Sequence, residues 1–135
     1  MRILILAAFL AAGTAHAQTV SDVKFQAGNF GTMVSGTITG DGYVDYRLGA
    51  RQGQKMFVEL TVSDSNGNGA VYFNILPPGS DGVAIYNSSL DGNSTLLPLP
   101  ESGEYVIRVY HMGGDEASGK TSGFNVDLSI QQVLG

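Results

Sequence analysis

Apolar and polar residues alternate along many short stretches of this chain, and a period of two predicts β-strands. Between Met56 and Val62 the even-numbered residues are Met, Val, Leu and Val, whereas Glu59 and Thr61 are polar. The segment from Phe124 to Ile130 alternates in the same way. Each of these segments therefore predicts a strand with one buried face and one face in water.

Runs rich in Val, Ile, Tyr, Phe and Thr alternate along the chain with clusters of Gly, Asn, Asp, Ser and Pro, which favour turns. This spacing predicts an all-β fold, an antiparallel β-sandwich of about eight to nine short strands. No helical apolar period is visible beyond the N-terminal segment, and we expect the glycine-rich stretch from His111 to Gly123 to bridge the last two strands. The predicted strands are Val23–Gln26, Met33–Ile38, Tyr43–Ala50, Met56–Val62, Val71–Leu76, Val83–Tyr86, Thr95–Leu99, Tyr105–Tyr110 and Phe124–Ile130.

The N-terminus has the composition of a secretory signal peptide. One positive charge at Arg2 precedes an apolar run from Ile3 to Ala12, and small residues end in Ala15-His16-Ala17. The run is too short to span a membrane. We therefore expect residues 1–17 to be removed on export to the periplasm, and residues 18–135 to form a single domain.

Charge and cysteine content narrow the classes of function. Loss of Arg2 leaves six of the seven basic residues against twelve acidic ones, and the chain has no cysteine. Because basic residues are few and scattered, nucleic acid and membrane are not expected partners. A basic protein partner fits this charge better, although acidity also serves simply to keep an exported protein soluble.

The chain offers little that resembles catalytic or metal-binding machinery, so we expect no enzyme activity, no cofactor and no metal. His111 is the only histidine after the N-terminal segment, and it has no neighbouring nucleophile. The segment Asp64–Gly69 matches the opening of a calcium-binding loop, but Ile75 stands where the closing glutamate belongs. A turn between two strands is the favoured interpretation of this segment.

The segment from Leu97 to Tyr110 predicts a stiff turn that leads into a strand. Pro98 and Pro100 restrict the backbone, Gly103 permits a tight bend, and alternation resumes at Tyr105. The residues alone leave two interpretations open. The segment is either an ordinary hairpin or a loop presented for recognition.

Ser102-Gly103-Glu104-Tyr105 matches the Ser-Gly-x-Tyr motif of a known family. The chain resembles the periplasmic lysozyme inhibitors, in particular the inhibitors of invertebrate-type and goose-type lysozymes. The resemblance spans nearly the whole chain after the signal peptide. The other matching segments are Val34–Ile38, Tyr46, Ala50–Lys55, Tyr72–Asn74, Tyr105–Val109 and Phe124–Asp127.

The resemblance implies a β-sandwich that inserts its Ser102–Tyr105 loop into the active-site cleft of a lysozyme. The hydroxyls of Ser102 and Tyr105 would point at the catalytic carboxylates, and Gly103 would keep the tip narrow. Glu104 adds a negative charge that calls for basic residues on the rim of the cleft. The implied binding residues are Ser102, Gly103, Glu104 and Tyr105, and the flanking residues that could add contacts are Glu101, Arg108 and His111.

Two details of the sequence favour the invertebrate-type branch as the first choice and the goose-type branch as the second. The stretch Gly113–Glu116 lacks the basic residues that many relatives carry, and the segment Val71–Gly79 is intact. Three alternatives stay open. One is a carbohydrate-binding or protease-associated accessory module, one is a small glycosidase, and one is a homodimer that pairs through an exposed edge strand.

Overall fold

The computed structural model describes residues 18–25 and 30–131, which fold as two β-sheets packed face to face. The described chain contains nine strands and two short helices. The strands are β1 Gln18–Asp22, β2 Gly31–Thr39, β3 Tyr43–Ala50, β4 Lys55–Ser65, β5 Val71–Leu76, β6 Tyr86–Asn87, β7 Ser94–Pro98, β8 Gly103–His111 and β9 Thr121–Gln131; the helices are α1 Ser88–Asp91 and α2 Gly113–Ala117.

One sheet has five strands in the order β1-β3-β8-β5-β6, and the other has four in the order β2-β9-β4-β7. All neighbouring strands are antiparallel except β1 and β3, which are parallel. The prediction of an all-β sandwich is therefore confirmed. No helix of the described residues is long and apolar enough to cross a membrane.

The core lies between the two sheets and is formed by the inward-facing positions of the alternating strands. In β4, Met56 and Val58 are fully buried, whereas Glu59 and Thr61 are not. In β9, Phe124 and Val126 are buried to the same degree. The alternation in these two segments thus predicts correctly which residues face the core.

Two strands differ substantially from the prediction, whereas five others differ by one to three residues at their ends. The first strand is Gln18–Asp22 rather than Val23–Gln26, of which Gln26 lies outside the described residues. The strand expected over Val83–Tyr86 is reduced to the two residues of β6. Val83 is 77% exposed, which explains why an apolar residue there does not extend the strand.

The two helices are also absent from the prediction, and α2 lies inside the stretch from His111 to Gly123 that was expected to be a loop. Both are about one turn long, so neither is long enough to show an apolar period of 3.6 residues. The predicted signal peptide, residues 1–17, lies outside the described residues. That part of the prediction stays a prediction.

Three connections meet at one end of the sandwich: residues 51–54 between β3 and β4, residues 77–85 between β5 and β6, and residues 99–102 between β7 and β8. Backbone hydrogen bonds tie the first connection to the third, and Gly103 contacts Pro78 of the second. We call this the loop end of the sandwich. It carries Glu101 and the Ser102–Tyr105 motif that the sequence picks out for function.

Candidate functional site

The connection between β7 and β8 displays a short exposed tip. Glu101, Ser102, Gly103 and Glu104 are all exposed, whereas Leu99 before them is only 3% exposed. The buried Leu99 side chain therefore anchors one side of the tip in the core. Strand β8 begins at Gly103 and anchors the other side.

Tyr105 holds the tip from below rather than forming part of it. Its side chain is fully buried, and its hydroxyl accepts a hydrogen bond from the Glu101 N–H at 3.1 Å and donates one to the Glu101 carbonyl at 2.6 Å. This is a tyrosine corner, a device that fixes a loop beside a β-sandwich strand. The expectation that this hydroxyl faces a partner enzyme is therefore not met.

The register of β8 explains why Tyr105 turns inward. Tyr105, Ile107 and Val109 lie at alternate positions of one strand, and all three are fully buried. A period of two places their side chains on the same face of the sheet. The sequence therefore already contained the signal that the tyrosine belongs to the core.

Ser102 is fixed by the neighbouring β3–β4 connection, which crosses from one sheet to the other. Its Oγ accepts a hydrogen bond from the backbone N–H of Gln52 at 2.8 Å. Because a hydroxyl also has one proton to donate, this contact leaves Ser102 able to donate to an acceptor outside the chain. The tip therefore presents a positioned hydroxyl at its surface.

Gln54 links the same β3–β4 connection to the tip, and the sequence analysis did not single it out. Its backbone carbonyl accepts the Leu99 N–H at 2.8 Å, and the Gly53 N–H donates to the Leu99 carbonyl at 3.0 Å. The Gln54 side chain is only 7% exposed, and its Oε1 accepts the Arg51 N–H at 2.7 Å. A buried glutamine therefore closes the turn that supports Ser102.

Gly103 is the position at the tip that tolerates no side chain. Its φ is +146°, outside the range that other residues readily adopt. A Cβ built there would lie 2.8 Å from the Cβ of Pro78 and 2.9 Å from its Cγ. The glycine thus lets the loop pack against the β5–β6 connection.

The other two predicted flanking residues lie away from the tip. Arg108 makes two hydrogen bonds to Asp45, at 2.8 Å and 3.0 Å, and its guanidinium lies 4.5 Å from the centre of the Tyr43 ring. The hydrogen bond to Asp45 is the main cause that raises the pKa of Arg108. Arg108 is therefore engaged in an ion pair on the outer face of the five-stranded sheet.

His111 lies at the opposite end of β8 from the tip and is only 1% exposed. Its Nδ1 lies 3.1 Å from the Gly40 carbonyl oxygen, and its Nε2 lies 2.8 Å from Ser122 Oγ. At about 3.3 Å per residue, the strand separates it from the tip by roughly 26 Å. His111 is therefore buried and far from the tip, and the expectation that it adds a contact beside the tip is wrong.

The stretch Gly113–Glu116 supports a neighbouring loop. Asp115 is 2% exposed, and its carboxylate accepts hydrogen bonds from the backbone N–H of Asn68, at 2.9 Å and 3.0 Å, and of Ala70, at 3.0 Å. These bonds are the main cause that lowers the pKa of Asp115. Of the residues that resemble a calcium loop, Asp64 and Ser65 end β4, and Asn66–Gly69 lie in this β4–β5 connection. No group of three acidic or histidine side chains in the described ranges is placed to hold a metal ion.

The groups exposed at the loop end are therefore suited to binding a partner molecule. A rigid exposed tip presents one hydroxyl donor between two carboxylates, Glu101 and Glu104. Of the seven residues predicted for the site, the structure brings Glu101 to Tyr105 together and places Arg108 and His111 elsewhere.

Comparison with known proteins gives one consistent group of relatives. No protein-family model matches the chain. The chain is 32% identical over 132 residues to an Escherichia coli (strain K12) protein described as an inhibitor of g-type lysozyme, and the match covers 96% of this chain and 93% of that protein. It is 30% identical to the crystal structure of the Aeromonas hydrophila periplasmic inhibitor of g-type lysozyme, with a TM-score of 0.77 and coverage of 87% of this chain and 100% of that one.

The corresponding inhibitor from Salmonella Typhimurium is 31% identical, with a TM-score of 0.64 over 84% of this chain and 98% of that one. The pre-peptidase C-terminal domain of a Bacillus anthracis collagenase matches 89% of this chain and 100% of its own length with a TM-score of 0.54, but it is only 11% identical. This last likeness shows the fold alone.

Proposed function

The chain belongs to the family of periplasmic inhibitors of g-type lysozyme, and from this membership we propose that it binds a g-type lysozyme and blocks its active-site cleft with the Glu101–Glu104 tip. The relatives are inhibitor proteins, which supports the prediction that this chain acts by binding rather than by catalysis. Export by cleavage of residues 1–17 is part of the same proposal and agrees with the periplasmic location of the family.

The preference for the invertebrate-type branch is corrected by these relatives, which are inhibitors of g-type lysozyme. That preference depended on the absence of basic residues from Gly113–Glu116 and on the intact segment Val71–Gly79. In this chain the first of these segments contains Asp115, which is occupied in holding the β4–β5 connection. Its composition therefore reflects local folding and is a poor guide to the branch.

The rigidity of the exposed tip is the observation that carries the proposal. Tyr105 bonds both backbone groups of Glu101, Gln52 holds Ser102, and Pro78 packs against Gly103. A loop that is ordered before binding loses little conformational entropy when it enters a cleft. The tip therefore has the property that an inhibitor needs in order to fill an active site tightly.

The chemistry of the tip suits a cleft lined by catalytic carboxylates. The Ser102 hydroxyl accepts from Gln52 and keeps its proton for a carboxylate of the enzyme, which would give a charge-assisted hydrogen bond. Tyr105 then acts as a positioning residue for Ser102 and makes no direct contact. Glu101 and Glu104 favour an enzyme whose cleft rim carries basic residues, and they steer the approach of a basic lysozyme.

The test is a titration of the protein without residues 1–17 against g-type, invertebrate-type and chicken-type lysozymes, with lysis of bacterial cell walls as the readout. We expect stoichiometric inhibition of the g-type enzyme and much weaker inhibition of the other two. Ser102→Ala should weaken the inhibition at least about tenfold, as is common for a central interface residue. A protein that leaves g-type lysozyme fully active would refute the proposal.

A further inference from the structure

Strand β2 lies at the edge of the four-stranded sheet, and its free side has a definite set of backbone groups. The Ile130 N–H donates to the Phe30 carbonyl at 2.9 Å, and the Gly40 N–H donates to the Lys120 carbonyl at 2.8 Å. Because backbone groups alternate in direction along a strand, even-numbered residues from 30 to 40 bond β9 and odd-numbered residues point away from the sheet. No backbone hydrogen bond within the described ranges uses these outward groups, which belong to Gly31, Met33, Ser35 and Thr37.

The other three edges of the sandwich carry features that oppose pairing with another strand. β6 has only two residues, β7 ends at Pro98, and β1 is short and ends at Asp22, which is ion-paired with Arg47. Short length, proline and charge are the usual means by which edge strands avoid pairing. These three edges are therefore protected.

β2 has none of these features. It is nine residues long, contains no charged residue and no proline, and keeps one unbroken register with β9 from Gly31 to Thr39. It also exposes an apolar side chain, since Met33 is 58% exposed. An edge of this kind offers a template for one more strand.

We propose that two copies of this chain pair through antiparallel β2 strands and form a continuous eight-stranded sheet. A second copy is the natural occupant because antiparallel pairing of identical strands is self-complementary about a twofold axis. Centred on Val34, the pairing matches Gly31 with Thr37 and Met33 with Ser35 of the other copy. All four outward residues are used, for about eight hydrogen bonds.

In the proposed dimer, the loop end of each copy stays accessible to a partner. β2 begins near the loop end and runs towards the opposite end of the sandwich, so antiparallel pairing directs the two Ser102 tips away from each other. β2 itself carries no charged residue, and Asp127, which lies opposite Met33, is on β9, one strand away from the new seam. The dimer would therefore present two independent tips and meet no charge repulsion along the shared edge.

The test compares the molar mass of three proteins without residues 1–17 by sedimentation equilibrium over a range of concentrations. The wild type should approach twice the monomer mass. Met33→Pro removes one outward N–H without touching the bonds to β9, and should be monomeric. Leu96→Pro is the matched control, because Leu96 occupies the equivalent outward position of β7 at the other edge of the same sheet.

Met33→Lys is a second variant, which leaves the backbone unrestrained and should also be monomeric. It tests the dimer even if the proline variant fails to fold. Amide exchange gives an independent readout. The N–H groups of Met33 and Ser35 should exchange rapidly in dilute protein and more slowly at high concentration, whereas Val34 should be protected in both. A wild type that stays monomeric, or a dimer that survives both Met33 substitutions, would overturn the proposal. Inhibition per chain should be unchanged in the Met33 variants, so this test is independent of the proposed function.

Discussion

Replacement of Tyr105 by phenylalanine tests whether Tyr105 positions the tip or contacts the enzyme directly. The change removes the hydroxyl that bonds both backbone groups of Glu101 and leaves the buried ring in place. Each such hydrogen bond contributes about 0.5–1.5 kcal/mol net, so the pair contributes about 1–3 kcal/mol. Because Glu101 is exposed, water can replace part of this, and we expect a loss of about 1–2 kcal/mol.

Urea denaturation of the protein without residues 1–17 measures this loss. With a slope of about 2 kcal/mol per molar urea, the midpoint should fall by about 0.5–1 M. Inhibition of g-type lysozyme should weaken by less than about tenfold, because the tip loosens but its surface groups remain. Ser102→Ala should show the reverse pattern, with stability nearly unchanged and a larger loss of inhibition.

Tyr110→Phe is the matched control, since its hydroxyl donates to Asn74 Oδ1 at 3.0 Å on the outer face of the five-stranded sheet. That variant should inhibit normally. If Tyr105→Phe kept full stability and yet lost most of its inhibition, Tyr105 would be a direct contact and the assignment of a tyrosine corner would be wrong.

Three further predictions follow from the same contacts. Gly103→Ala should lower stability by about 1–3 kcal/mol, because its Cβ would overlap Pro78 and its φ is unfavourable for alanine; circular dichroism during urea titration checks this, and an unaltered midpoint would contradict it. The pKa of Asp115 is lower in the folded protein than its ordinary value of 3.8. The Asp115 carboxylate therefore stabilises the fold fully above pH 3.8, and this contribution is lost as the pH falls through the folded pKa. Asp115→Asn should thus destabilise the protein near neutral pH and differ less from wild type at about pH 3. The double substitution of Glu101 and Glu104 by glutamine should slow association with a basic lysozyme and flatten its salt dependence, as measured by stopped-flow fluorescence, with little change in dissociation; an unchanged association rate would refute electrostatic steering by the tip.

The sequence predicted the sheets well because their signal is local. Period-two alternation determines which face of β4 and β9 is buried, and the structure agrees throughout except at Val62, which is only partly buried. The sequence did not predict α1 and α2, because a helix of about one turn is too short to show a helical period of apolar residues. It also misplaced β1, whose pairing with β3 is parallel and depends on a partner about 25 residues away in the chain.

The sequence predicted that residues 101–104 form an exposed tip, but it did not predict the direction of the Tyr105 side chain. The motif identifies four consecutive residues, and the resemblance suggested that the hydroxyls of both Ser102 and Tyr105 face outward. Alternation within β8 opposes this for Tyr105, because its side chain shares a face with Ile107. Gln54 was missed because the turn that its side chain closes matters only through the backbone bonds between the β3–β4 and β7–β8 connections, which no local pattern encodes.

The structure also explains why the motif indicated the family without indicating the branch. Tyr105 and Gly103 are required to build the tip, one through its buried hydroxyl and the other through its contact with Pro78. Residues that only maintain the shape of a loop do not determine which enzyme the loop binds. Under the proposed function, we expect discrimination between lysozyme types to come from exposed side chains such as Glu101 and Glu104. Exchange of those two side chains should alter the choice of lysozyme, whereas changes at Tyr105 and Gly103 should weaken binding to every lysozyme alike.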